Sequence, residues 1–400
     1  MSETPQAFVA WLRDHAWPFW KTRGWDQDLG GWFESLDSQG EPNRQVNRRT
    51  RVQARQVVAL CQAADLGWDP QQNIDLARKT CQWWWQHGWA VDGKPGFCHQ
   101  LDANAQPLDP KRDAYDTAFA VLAIAWIYRV TGDDDYLSKL NQVVEALTQL
   151  LGHPQGGFYE FGVWQDERFV CHTDTRRQNP HMHMFEAMVA ARQALLAHGQ
   201  NSDLVDSIGL ECHQLFTAHF LNQANAEVVE HFDANWQPLK DPIGRRVEPG
   251  HGMEWVWLLH HANQSAPGLY PALPTDQMQG LFDTALRQGF DRPTGVLADW
   301  FDPAQGTSSD TARSWPTMEY VRAAIALGQP EHIERSCAAL MEHFNLLSND
   351  ASGTPNPLYG GWRDAMELAD PNAASARDSS MQTSIMYHVM GVAHALMTGQ

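Results

Sequence analysis

Two histidines in this chain each have a glutamate three residues further on: His183 with Glu186, and His251 with Glu254. In a helix that spacing puts both side chains on one face, where the carboxylate can orient the ring and hold its protonation state. A third histidine, His388, follows Tyr387 near the end of the chain. Histidine changes charge near neutral pH, so such groups suit general acid–base chemistry. Other polar and aromatic candidates recur nearby. They are Arg51 and Arg55, Tyr115, Asp116 and Phe119, Asn179, Arg245, Arg246 and Glu248, Arg313, Trp315 and Glu319, and Gln382. The arginines could stabilise a developing oxyanion.

These residues must be brought together from more than three hundred positions, and a repeat supplies the means. A short phrase returns six times at intervals of about 65 residues: glycine, an aromatic or aliphatic residue, alternating positions, then often Asp-x-x-x-x-Pro. Its copies begin near Gly31, Gly96, Gly157, Val228, Gly295 and Gly361, and Asp37, Asp102, Asp233 and Asp302 hold one place within it. Between copies, apolar residues recur at three- and four-residue steps, as in Phe119, Leu122, Ala123, Trp126 and Ile127. That pattern predicts two helices per repeat, stopped by glycines such as Gly67, Gly132, Gly152, Gly199 and Gly328. The stretches read as helical include 51–66, 74–87, 115–131, 136–151, 180–197, 204–221, 251–262, 276–289, 316–327, 332–344 and 384–396. An initial helix over 6–22 should pair with the last one.

Six helix pairs with a β-like hairpin after every second helix predict an all-α (α/α)6 barrel, one domain over residues 1–400. The helices that follow the hairpins would line the inside. Their N-termini and the hairpins would share one mouth, where unpaired amides and positive dipole ends gather. Every candidate named above follows a hairpin phrase, which turns isolated histidines into a set. Pro180, Pro249 and Pro316 stand at or near helix starts, where a missing N–H costs nothing.

Composition removes several function classes. A net charge of −19 opposes binding to nucleic acid or an anionic membrane surface. No stretch approaches the ~20 apolar residues of a membrane span. The N-terminus has no basic start followed by an apolar run, and six scattered cysteines read as reduced core thiols of a cytoplasmic protein. No Walker loop, dinucleotide fingerprint, nucleophile elbow or H-E-x-x-H occurs. His260-His261 and His181-x-His183 lack further metal ligands at usable spacing, so neither metal nor cofactor is expected. Asp133–Asp135 reads as a solvated turn, and Trp83–Trp85 with Trp89 as packing on an outer helix.

The segments RTRVQARQ (Arg51, Arg55), YDTAFA (Tyr115, Asp116), NPHMHMFEA (Asn179, His183, Glu186), EPGHGMEW (His251, Glu254), SWPTMEY (Trp315, Glu319), GGWRD (Trp362) and YHVMG (His388) together resemble the N-acylglucosamine 2-epimerase superfamily. That group holds sugar 2-epimerases and aldose–ketose isomerases such as mannose isomerase. The resemblance spans nearly the whole chain and implies the same barrel. It implies proton transfer at C2 of a reducing sugar through a cis-enediolate, after ring opening. His388 would then be the C2 base, and His251, held by Glu254, the partner acid. His183 or His251 would open the ring. Arg51 or Arg55, with Arg245 or Arg246, would stabilise the enediolate, while Trp315 and Trp362 would form apolar walls. The first helix looks most like isomerases of unmodified hexoses, which favours D-mannose and D-fructose, with D-lyxose and D-xylulose as a pentose pair. The expected partner is a monosaccharide, and the expected state a monomer or homodimer.

Three rivals remain at this point. A 2-epimerase of mannose, N-acylglucosamine or cellobiose type would share the fold and the histidines. An inverting glycoside hydrolase would need two carboxylates about 6.5–9.5 Å apart, drawn from Asp116, Glu254 and Glu319. A non-catalytic sugar-binding barrel would tolerate loss of His388.

Overall fold

The computed structural model describes residues 3–345, 354, 356–370 and 380–399. Its inner helices are Thr50–Asp65, Ala114–Thr131, Gln178–Ala197, Pro249–Ser265, Ser314–Ala326 and Met386–Thr398. The returning helices are Pro70–Gly88, Asp134–Ala146, Asp203–Leu215, Thr275–Gly289 and Pro330–Ala339. Burial separates the two sets. In Ala114–Thr131 every residue from Ala118 to Tyr128 is buried, as expected for a helix covered on all sides. In Asp134–Ala146 only Tyr136, Leu140, Val143, Val144 and Ala146 are, a one-sided stripe. Each inner helix packs on the next, and the last packs on the first, so the ring closes as an (α/α)6 barrel.

The helix stretches read from the sequence are present, with boundaries that shift for identifiable reasons. Asp113 accepts the amides of Tyr115 and Asp116, so the second inner helix begins at Ala114. Three outer helices end in a wide π turn, at Leu147–Leu151, Phe216–Phe220 and Leu340–Phe344. The N-terminal helix, Glu3–Trp11 continued as Trp17–Arg23, packs against both the last outer and the last inner helix. No helix among the described residues is long and apolar enough to cross a membrane. All six cysteines are unpaired, and all but Cys171 are buried.

The phrases do more than form local hairpins. Each one pairs antiparallel with the strand leading into the preceding repeat's inner helix. Residues 100–101 pair with 48–49, 161–162 with 112–113, 231–233 with 175–177, and 365–367 with 311–313. Phe301 and Val247 make a single bridge, and Ser35–Asp37 joins Gln382–Ser380 to close the circle. The phrase aspartates close the turns. Asp37, Asp102 and Asp233 each accept amides two and four residues ahead, and Asp302 accepts from Ala304 and Gln305. The opening glycines adopt φ of 72°, 99°, 70° and 76° at Gly31, Gly96, Gly157 and Gly295, and at Gly31 an added Cβ would lie 2.6 Å from the Trp83 ring. Pro371, which ends the sixth phrase, lies outside the described residues.

Candidate active site

Three residues before each turn aspartate, or its counterpart, the phrase carries a polar residue: Glu34, His99, Glu160, Glu230, Asp299 and Asp364. The backbone carbonyl at this place accepts the first amide of the neighbouring inner helix in five repeats, for example Gln178 N to Glu230 O at 3.1 Å and Ser314 N to Asp364 O at 2.8 Å. In the remaining repeat Pro249 takes that position and has no N–H. The side chain at this place reaches the other way, to the start of the inner helix that follows its own phrase. Arg49 Nε donates to Glu34, Arg177 Nε to Glu160 at 2.6 Å, and Arg313 Nε to Asp299 at 3.0 Å. His99 holds Asp116 at 2.5 Å, and His251 Nδ1 donates to both oxygens of Glu230 at 3.0 Å.

These helix starts surround a cavity of about 300 Å³. Arg51, Arg55, Tyr115, Asn179, His183, His251, Glu254, Trp315 and His388 line it, all picked from the sequence, together with Glu248, Arg313 and Gln382. Arg49, Asp364, Ser384 and Ile385 complete the wall. The Trp315 ring lies between two of the histidines, its centroid 5.0 Å from that of His251 and 5.9 Å from that of His388. Tyr115 and Phe119 pack on the His183 ring at 5.2 and 4.7 Å. A wider groove, about 840 Å³, runs outside between Thr275–Gly289 and Pro330–Ala339 and holds none of these residues.

Three expected partners sit beneath the cavity, out of its lining. Glu186 accepts from His183 Nδ1 at 3.1 Å and from the Tyr387 hydroxyl. Glu319 accepts from His388 Nδ1 at 2.8 Å and from Arg322. Asp116 is held by Arg51 at 2.8 Å and by His99.

Other expectations need correcting. His251 is held by Glu230 from the fourth phrase, whereas Glu254 turns toward His183, 3.8 Å from its Nδ1. Arg246 lies with its guanidinium 3.9 Å over the Trp300 ring, and Arg245 pairs with Asp302 at the turn, so neither lines the cavity. The guanidinium from that side is Arg313. Trp362 is no wall: it stacks on Trp20 at 4.1 Å and is 1% exposed. Its place in the phrase is a core column, shared with the buried Trp32, Phe97, Phe158, Val228 and Leu297.

The histidines are polarised in opposite senses. Burial works against a charged His251, yet Glu230, Glu248 and Glu254 outweigh it and raise its pKa to about 9. Burial pushes His388 down to about 4 despite Glu319, and lowers His183 despite Glu186. Glu254 is driven well above the usual carboxyl range by burial and by Glu319 and Glu186, and its Oε1 has no hydrogen-bond partner among the described residues. At neutral pH the cavity therefore holds a cationic His251 and a neutral His388. Among the described residues, two groups could sterically gather a cation, His183–Glu186–Glu254 and His99–Asp113–Asp116. In each, the histidine is already hydrogen-bonded to a carboxylate of the group.

Comparison with known proteins agrees with this architecture. The family profile described as N-acylglucosamine 2-epimerase (GlcNAc 2-epimerase) matches residues 31–392. A mannose-6-phosphate isomerase of Rhizobium meliloti (strain 1021) is 30% identical over 96% of this chain and 94% of its own length. A D-mannose isomerase of Marinomonas mediterranea is 25% identical over 76% and 75%. Among solved structures, a D-mannose isomerase superposes with a TM-score of 0.83 at 20% identity, covering 100% of both chains. Cellobiose 2-epimerase from Bacillus thermoamylovorans does so at 0.81 and 16% identity, covering 98% of both. Six repeats, a closed ring of inner helices and a profile match over most of the chain lead to one conclusion: this protein belongs to the N-acylglucosamine 2-epimerase family, a sugar isomerase or epimerase by its fold and relatives.

Proposed function

We propose that the chain interconverts D-mannose and D-fructose, with D-lyxose and D-xylulose as the pentose pair. The observation that carries this reading is the pair of cavity histidines on either side of Trp315, one neutral and one charged. A C–H beside an aldehyde is a weak acid, so the catalyst must remove a proton from carbon while protonating oxygen. Ring opening, by His251 or His183, exposes C1 as an aldehyde. His388 Nε2 takes the C2 proton as His251 donates to O1, giving the enediol. The proton on His388 passes to C1, His251 recovers the O2 proton, and the ketose forms with both rings restored. Arg55 is the better enediolate stabiliser: it donates to the Tyr115 hydroxyl at 2.8 Å, while Arg51 is engaged by Asp116.

A cavity at the small end of the ~300–1,000 Å³ range of ligand sites suits a monosaccharide better than cellobiose. Among the carboxylates a hydrolase would need, Asp116 and Glu319 are tied down outside the lining, which leaves Glu254 without either as partner. The test is incubation with mannose in deuterated water, followed by NMR. Fructose bearing deuterium at C1 supports the isomerase. Glucose labelled at C2 would replace it with a 2-epimerase, and no turnover or exchange would overturn both. Because the Rhizobium relative is named for mannose 6-phosphate, the same assay on that sugar phosphate settles the substrate class. Prior treatment with a chelator is expected to leave the rate unchanged.

A further inference from the structure

Arg322 lies beneath the catalytic cavity, and neither its sequence position nor the resemblance gives it a role. It is 3% exposed, on the fifth inner helix, one turn beyond Glu319. Its NH1 donates to both Glu319 oxygens, at 3.1 and 3.0 Å. The indole of Trp257 covers one face, with the guanidinium carbon 3.3 Å from the ring centroid. On another side stands Gly391, where even a Cβ would come within 3.4 Å of that carbon. The guanidinium is therefore clamped by the third-from-last inner helix and the last one, and aimed at one carboxylate.

That carboxylate is the one touching the His388 ring. We propose that Arg322 is a positioning residue: by keeping Glu319 an ionised acceptor, it forces the His388 proton onto Nδ1 and leaves Nε2 bare toward the cavity. The rate consequence rests on the reading of His388 as the C2 base; the tautomer does not. Three buried carboxyl groups, Glu186, Glu254 and Glu319, crowd under the cavity, and they cannot all be charged so close together in a low dielectric. Glu186 is fixed by His183 and the Tyr387 hydroxyl. Glu254 has a bare oxygen, and burial beside the other two carboxyls drives its pKa well above the usual range. Burial opposes charge on Glu319, and Arg322 with His388 overcomes it, so Glu319 stays ionised. Without the guanidinium, Glu319 would protonate, become a donor to Nδ1 and move the ring proton to Nε2. The base would then point its N–H at the substrate.

The groups facing His388 are Glu319 and Arg322 on the fifth inner helix, Tyr387 and Trp315, with Arg55 and His183 across the cavity. Of these, Arg322 contributes the largest favourable charge to the ionised Glu319. Expected results follow. Arg322→Gln, folded by circular dichroism and thermal melting, loses about 100-fold in kcat with KM within about 3-fold, because general-base catalysis is worth roughly 10²–10⁴. The acid limb of its pH profile moves upward, since activity now requires Glu319 to lose a proton. Arg322→Lys, which keeps the charge without the fork, recovers part of the rate and keeps the wild-type limb. The double variant Glu319→Gln with Arg322→Gln is no slower than Glu319→Gln alone. Nitrogen-15 NMR of the resting wild-type protein decides the matter independently of substrate and of any variant's folding. An Nδ1–H tautomer at His388 supports the proposal, and an Nε2–H tautomer overturns it. So does a folded Arg322→Gln enzyme with unchanged kcat and pH profile.

Discussion

At the residue scale, the decisive contrast is between two histidines of one cavity that hold protons differently. The proposed mechanism requires His251 charged and His388 neutral, so the rate should rise through the His388 pKa of about 4 and fall through the His251 pKa of about 9. A plot of kcat/KM against pH checks both limbs. Glu230→Gln removes the first of the carboxylates that hold His251 charged, so the alkaline limb should move down toward ordinary histidine near 6.5. An unchanged limb would show that Glu230 is dispensable for holding His251 charged.

Stability carries the same signs. A raised pKa at His251 favours the folded state fully below about 6.5, and the gain is lost as pH rises through about 9. The lowered pKa of His388 acts oppositely: the unfolded chain takes up its proton first, so stability falls as pH drops from about 6.5 toward 4. Thermal melts across this range should show a loss at both ends.

At the element scale, the phrase is the working part, and its columns separate scaffold from chemistry. The turn aspartates are structural: Asp102→Ala removes an acceptor for two amides and should cost about 1 kcal/mol, with kcat unchanged. Trp362→Ala should cost about 3–5 kcal/mol while leaving the KM for sugar alone, which would confirm that the ring belongs to the core. These columns also explain what the sequence concealed. The His251–Glu254 spacing is real, yet an i,i+3 rule sees only one helix. The partner of His251 is Glu230, which arrives through strand pairing between repeats. Aligning the six phrases would have exposed it, because Glu34, Glu160, Glu230, Asp299 and Asp364 share one place. Trp362 could have been recognised in the same way, from the buried apolar residues of its column. Arg246 carried no such signal, since it lies in the loop between phrase and helix, outside the aligned columns.

At the scale of the whole molecule, the helix period and the repeat were enough to read the barrel, because a helix such as Ala114–Thr131 is apolar nearly all round while its outer neighbour Asp134–Ala146 is apolar on a single side. The cavity was readable only after closure, as its walls come from every inner helix. Residues 35–37 pair with 380–382, so the first and last repeats are already joined. A circular permutant with new ends in the exposed turn at Gly199 and a short linker across the old ones should fold and retain activity; its melting curve and kcat are the measurements. The seams between repeats are not equal, however. At Pro249 the chain offers no amide, and the backbone pairing there shrinks to the mutual bonds of Val247 and Phe301, each 2.9 Å. The hoop thus has its thinnest weld two residues from the start of the helix that carries His251. Breathing at that joint would move the His251 ring without unwinding any helix, and hydrogen–deuterium exchange should find the amides of Val247 and Phe301 opening ahead of those that stitch 35–37 to 380–382.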